Sequence, residues 1–410
     1  MNTVPCFLHE KRNDLRTKLI LFLISPILGF IYSLKRIKTR SSFIIFFLFA
    51  ICFGMCFTPE KYYSEIDGQY YQDFFLMNND NTKEVFVDEF IEYISFNTGQ
   101  KDYYIDTISF ITSRLTDNYH VFFFFLSIIF SFFSLMTFKY FVKEEEFNNS
   151  YMCLILCYLF MYISIFNING ARFWTGYWIA TYALFKIFRD YNYKFILLLP
   201  FAAFCHGTLW ILMPIVFVAI LTRRFYNMWI IIYILSFFME QTVFTYINNL
   251  NDYLPIFMQN LINSYTAEET ILKATAEGTG FWIIGKIFKH IVNIFIFIMV
   301  VIIIKNKHNV IYDKRTKDIF TLMLIIMAFS NFTMTVPSLG TRFIVFSYPL
   351  IAYIWLLAIN NCKGKYSNVL MILPICFFMN IYSTLRYYVG TLNIDFFISS
   401  PIYLMVKYLF

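Results

Sequence analysis

The sequence predicts an all-α fold, a polytopic membrane helix bundle of about 11–13 spans, and three observations carry that prediction. Hydrophobic residues make up 59% of the 410 and aromatic ones 22%, whereas charged residues are only 14%, far from the composition of soluble domains. Apolar runs near the length of a spanning helix recur from end to end. Lysine and arginine gather in alternate gaps between those runs, as they do in cytoplasmic loops. The net charge of +7 therefore reads as a topology label, and no nucleic-acid partner is expected.

Taken in order, the apolar runs cover roughly 19–34, 43–58, 119–142, 149–166, 173–188, 195–206, 208–222, 227–246, 281–304, 319–336, 343–359 and 366–382. Basic clusters follow at "KRIKTR" (35–40), Lys139/Lys143, Lys186/Arg189/Lys194, Arg223/Arg224, "KNKHNVIYDKRTK" (305–317) and Lys363/Lys365. Placing these in the cytoplasm lets the spans alternate without conflict from 35 to 382, within one transmembrane domain over 1–410. The basic N-terminus leaves two arrangements for 19–34, which contains Pro26 and Gly29: a re-entrant run, or a span with the N-terminus outside. The first residues lack the pattern of a cleaved secretory signal. Cys52/Cys56 and Cys153/Cys157 lie inside apolar runs at i,i+4 spacing, which suits helix packing better than metal ligation or disulfides.

Residues 195–222 hold Pro200, His206, Gly207 and Pro214, and two helical arms meeting at His206 fit them better than one long span. Two outer loops are long. The first, 59–118, opens with "EKYYSEIDGQYYQDFF", read as a polar loop start with a turn at Asp67-Gly68. Two amphipathic helices follow, one marked by Val85, Phe86, Phe90, Ile91 and Ile94, the other by Ile105, Ile108, Ile111 and Leu115. The second loop, 247–280, carries a capping box at Thr266 and Glu269 that starts a short helix.

This topology collects a chemical set on the outer face: Asp67, Tyr70, Tyr71, Asp73, Arg172, His206, Arg342 and Arg386. Arg172, in "NINGARFWTGYW", stands where a polar turn meets the start of a helix. Free N–H groups and the positive dipole end are already there, so a cation is unfavourable unless an anion binds. Arg342, in "SLGTRFIVFSY", repeats the Gly-x-Arg-Phe context, and two guanidinium forks suit the two phosphates of a diphosphate. The plainer account of either arginine is snorkelling to the lipid headgroups, which is the account favoured for Arg386 in "STLRYYVG". His206 in "FCHGTLW" is a candidate proton acceptor, set against a histidine that only bonds helices together. In "EIDGQYYQDFF", Asp67 and Asp73 with Tyr70 and Tyr71 offer acceptors for sugar hydroxyls and flat faces for sugar rings; a solvated turn is the alternative. The remaining histidines, His9, His120, His290 and His308, show no pair at ligand spacing.

"DGQYYQDF", "NINGARFWTGYWIATYALF", "FAAFCHGTLWILMPIVF" and "GTRFIVFSYPLIA", in that order, resemble the EpsG family, grouped with Wzy-type polymerases of O-antigen, capsule and exopolysaccharide. The resemblance covers roughly 20–385 and is strongest over 167–217. The arginine segment reads "GARFW" where the family often has an "IRQ"-like start, so the arginine is kept and the glutamine is not. The resemblance implies a membrane glycosyltransferase working outside the bacterial cytoplasmic membrane. It would transfer a growing glycan from undecaprenyl diphosphate to a hydroxyl of the next lipid-linked unit. It implies no cofactor, no nucleotide sugar and no obligatory metal. Its partners would be the lipid-linked glycan and membrane lipid, with a chain-length regulator and a flippase as further candidates. Arg172 and Arg342 would then hold the diphosphate, with Arg386 assisting. His206 would be the base, Asp67 the second choice, and the Asp67–Asp73 segment a sugar contact. Two alternatives remain. A ligase would need the same donor site, and a flippase would need charge along the span interiors, where this sequence has little apart from Glu240 and Lys286 near span ends.

Overall fold

A computed structural model describes residues 10–59, 67–78, 81–95, 102–144, 163–239, 281–306, 313–334, 339–361 and 391–410, with isolated positions between them. Arg386, the Thr266/Glu269 box, Cys153/Cys157 and the run 366–382 lie outside the described residues. The described chain is all-helical, with a single isolated bridge, Phe57 to Leu392, tying the C-terminal segment to the end of α3.

The first apolar run is two helices. α1 (Arg12–Ile24) stops at Ser25, in extended backbone, and Pro26 starts α2 (Pro26–Leu34). Proline is suited to that first position because its missing N–H would have no partner there. α2 packs back on α1, and the Tyr32 hydroxyl of α2 donates to Asp14 of α1 at 3.1 Å. α3 (Arg40–Cys56) begins at a Thr39 cap and packs along α7 (Tyr119–Lys143). Gly54 makes that approach possible: a Cβ there would stand 2.3 Å from the Cβ of Ser127.

Between them lie α4 (Asp67–Met77), α5 (Lys83–Ile94) and α6 (Tyr104–Ser113). The last two occupy the stretches with amphipathic spacing. α4 corrects the loop expected at "DGQYYQDFF": Tyr71 and Phe75, one turn apart, are both fully buried and hold the segment as a helix. α8 (Ala171–Phe188) follows a 3-10 turn, Ile165–Gly170, and is buried along nearly its whole length between α7 and the next helical pair. That pair is α9 (Leu198–Cys205) and α10 (Leu212–Thr222); between them the chain is extended at His206 and then makes a 3-10 turn, Gly207–Ile211.

α11 (Tyr226–Ser236), α12 (Phe281–Lys305) and α13 (Lys314–Phe332) complete the middle of the chain. α14 (Leu339–Phe343) runs through a short 3-10 turn into α15 (Ser347–Asn361). Arg342 therefore sits inside the first turn of this segment and not ahead of it. α16 (Asp395–Ile398) and α17 (Pro401–Leu409) close the chain against α3. Among the described residues, two helical stretches, Tyr119–Lys143 and Leu339–Leu357, are long and apolar enough to cross a membrane, with mean hydropathies of 2.3 and 1.4 over their most apolar windows. Shorter apolar helices accompany them, and large side chains such as Phe201, Phe217, Leu221, Ile231 and Phe238 point outward, as suits a membrane protein.

Candidate functional site

The site is built around the first turn of α8. Asn167 and Ser164 close a capping box on the 3-10 turn before it, which sets the direction in which α8 starts. Asn169 is buried, and its Oδ1 accepts the backbone N–H of Gly68 at 3.1 Å, fastening α4 to that turn. A Cβ on Gly68 would fall 2.3 Å from the same oxygen, so glycine is what permits the contact.

Arg172 then meets two other segments. Its Nε donates to the Tyr71 hydroxyl at 3.3 Å, and its Nη1 faces Asp102 Oδ1 at 3.4 Å. Its guanidinium lies 5.6 Å from the centre of the Tyr71 ring. Asp102 is buried, while Arg172 keeps about a third of its side chain exposed, so the pair faces outward on the arginine side. Burial first, and the Asp67 carboxylate after it, hold the Tyr71 phenol well above its ordinary value, and it stays a neutral partner. Asp106, in the first turn of α6, joins the same charge set. Burial first, with nearby Asp102 and Glu89 adding to it against Arg172 and its own backbone N–H, pushes its carboxyl up to about 6.

Phe173 gathers the other candidates. The Arg342 guanidinium stands 5.1 Å from its ring centre, and the His206 ring meets it edge-on at 5.2 Å. Arg342 and the histidine of the break thus meet on one ring of α8, that of the residue next in sequence to Arg172. At the break, His206 Nδ1 accepts the backbone N–H of Thr208 at 3.4 Å and lies 2.8 Å from the Thr208 hydroxyl. The Tyr103 N–H donates to the Phe204 carbonyl at 3.1 Å, which holds the Asp102–Asp106 segment against the end of α9, beside His206.

α4 separates the four residues singled out in its sequence. Tyr71 is fully buried and engaged with Arg172, so its hydroxyl and ring belong to the scaffold rather than to a sugar-binding surface. Tyr70 is 57% exposed and stacks on Phe74, while Asp67 and Asp73 are also exposed, with Asp73 accepting from Gln69. Asp102, Asp106 and Asn169 are the residues that sequence reasoning does not single out. The available signal was weak: "KDYYID" puts two carboxylates four apart in a loop already assigned to the face of Arg172.

This constellation lies inside the segment that decides the family. A family model matches residues 44–399, most of the chain. The chain belongs to the EpsG family. EpsG-family proteins are linked to exopolysaccharide biosynthesis, which gives this protein a role in polysaccharide synthesis. No curated protein and no solved structure matches the chain.

Proposed function

We propose that this EpsG-family protein is a multi-pass membrane polymerase of the bacterial cytoplasmic membrane, joining undecaprenyl-diphosphate-linked oligosaccharide units on the outer side. The observation that carries the reading is that Arg342 and His206 meet the ring of Phe173, the residue after Arg172, at the start of one buried helix. A helix N-terminus with two guanidinium groups is a site for a doubly anionic group. A lipid diphosphate is such a group, and it arrives from the apolar side.

In the reaction, a hydroxyl oxygen of the next unit bonds to the anomeric carbon of the growing glycan. The bond from that carbon to the diphosphate oxygen breaks, and its electron pair leaves with the lipid diphosphate. Fixed guanidinium groups act most strongly there, because the charge develops on the leaving group. His206 beside Phe173, and Asp67 and Asp106 in the surroundings of Arg172, are the titratable groups on this side of the molecule. Tyr70, Asp67 and Asp73 on the exposed side of α4 suit the glycan, and membrane lipid, a flippase and a chain-length regulator are the partners this reading requires.

The membrane topology has its own support. Basic groups assigned to the cytoplasm from sequence gather near the far end of α8: Lys38 and Arg189 both meet Glu144, and Arg223 lies 4.0 Å from Asp318, which accepts from the Tyr191 hydroxyl just past that helix. A ligase would use the same donor site.

Deleting the gene and resolving the host's surface glycan on a gel tests the reading. A ladder of long chains collapsing to single repeat units is expected. Loss of even the single unit would instead favour a flippase. Arg172→Lys and Arg342→Lys, which keep charge but remove the bidentate fork, are expected to shorten the chains; unchanged length in both would remove the diphosphate clamp.

A further inference from the structure

The hydrogen bond at the helix break fixes which way His206 can act. A backbone N–H only donates, so Nδ1 is the accepting nitrogen, and a neutral imidazole bonded in this way carries its proton on Nε2. The bond is part of the break itself: His206 caps the turn Gly207–Ile211, satisfying an N–H that a helix start leaves without a partner. Proton uptake at Nδ1 would set one N–H against another and open the cap. Charge points the same way. His206 and Arg342 share the Phe173 ring, so an imidazolium would stand close to a guanidinium.

A proton acceptor is then needed among the carboxylates. Asp102 is buried against Arg172 and committed to that pair. Asp67 lies exposed at the start of α4. Asp106 is half-buried in the first turn of α6, in the segment that the Tyr103–Phe204 bond holds beside His206. Its charged surroundings include Asp102, Glu89 and Arg172, and the phenols of Tyr93 and Tyr103 lie near it.

Resting on the polymerase reading above, we propose that His206 is a fixed hydrogen-bond donor, giving its Nε2–H to an oxygen of the departing diphosphate, and that Asp106 takes the proton of the acceptor hydroxyl. The new bond joins the acceptor oxygen to the anomeric carbon, the electron pair of the broken bond stays on the diphosphate, and the proton ends on the Asp106 carboxylate. A carboxyl pushed up to about 6 is well matched to that task near neutral pH.

The test uses the full-length protein in liposomes with a synthetic undecaprenyl-diphosphate-linked oligosaccharide, following chain growth against pH. His206→Gln keeps an N–H donor near Nε2 and has no titratable base. It is expected to stay within roughly tenfold of the native rate, while His206→Ala falls about 10²–10³-fold, the usual effect of losing one transition-state donor. Asp106→Asn is expected to stop chain growth, and the acidic limb of the pH profile should be the same in the native protein and His206→Gln. The proposal is overturned if His206→Gln is as inactive as His206→Ala, if His206→Ala is fully active, or if Asp106→Asn is active. Should His206→Gln fail to accumulate, Asp106→Glu decides: its acidic limb shifts if Asp106 titrates in the reaction and stays put if His206 does. A native protein that does not extend the glycan, with a deletion strain of unchanged chain length, would remove the polymerase reading itself, a result distinct from all of these.

Discussion

The two ends of α8 each carry an arginine, and they are held in opposite ways. Arg189 at the C-terminal end meets Glu144 through two nitrogens, Asp190 at 2.9 Å and the Tyr353 hydroxyl at 2.7 Å, with only 16% of its side chain exposed. Tyr353 also donates to Glu144, at 2.6 Å. Arg172 at the N-terminal end has one long ion pair and one long hydrogen bond, and twice the exposure. The helix dipole favours the first placement and opposes the second. A cation at the favourable end, saturated by short contacts, locks α7, α8 and α15 together. A cation at the unfavourable end, held only loosely by Asp102 and Tyr71, is the arrangement that the proposed anion site calls for. The difference also bears on transport: alternating access would have to open the Arg189 end, where the contacts are tightest.

That contrast can be broken by experiment. The largest expected effect is at Arg189. Arg189→Ala leaves Glu144 largely buried without its cation and is expected to cost about 3 kcal/mol of stability. Arg172→Ala, whose pair is long and part-exposed, is expected to cost about 1 kcal/mol or less. Chain length should respond in the reverse order once protein amounts are matched. Thermal unfolding in detergent together with glycan gels reads both. Equal losses of stability at the two ends would end the distinction. An intermediate effect is expected at Tyr353→Phe, which removes only the hydroxyl between Arg189 and Glu144. It should lower stability by about 1 kcal/mol, with glycan length unchanged.

Much of this was legible in the sequence because cost is legible. An arginine beside glycine at the mouth of an apolar run stands out, as Arg172 and Arg342 do, and Pro200, Gly207 and Pro214 write the break at His206 into the chain. Asp102 and Asp106 do not stand out, since carboxylates in a polar loop are ordinary; the Arg172–Asp102 contact spans 70 residues and leaves no local pattern. α4 is hidden for a related reason. Its buried face is Tyr71 and Phe75, and Tyr70, Asp73 and Phe74 around them blur the helical period. The EpsG resemblance could supply order and chemistry, but not which member of each local set faces inward.

The smallest expected effect sharpens the Arg172 end by its response to pH. Asp106 has a folded-state pKa raised from 3.8 to about 6, chiefly by burial. Between those values the folded protein binds more protons than the unfolded chain, so this group's contribution to stability falls as pH rises. The loss is complete above the folded value, and protonation at acidic pH restores it. Asp106→Asn is neutral throughout and is expected to flatten that slope: native protein should lose more thermal stability than the variant between pH 5 and pH 7. The C-terminal end supplies the control, because Tyr353→Phe leaves Asp106 in place and should keep the native slope. Matching slopes in native protein and Asp106→Asn would mean that Asp106 is already charged at pH 5 in the folded protein. The carboxylates around Arg172 would then form a fixed counter-charge, as Glu144 does for Arg189, and the two ends of α8 would differ in tightness but not in kind.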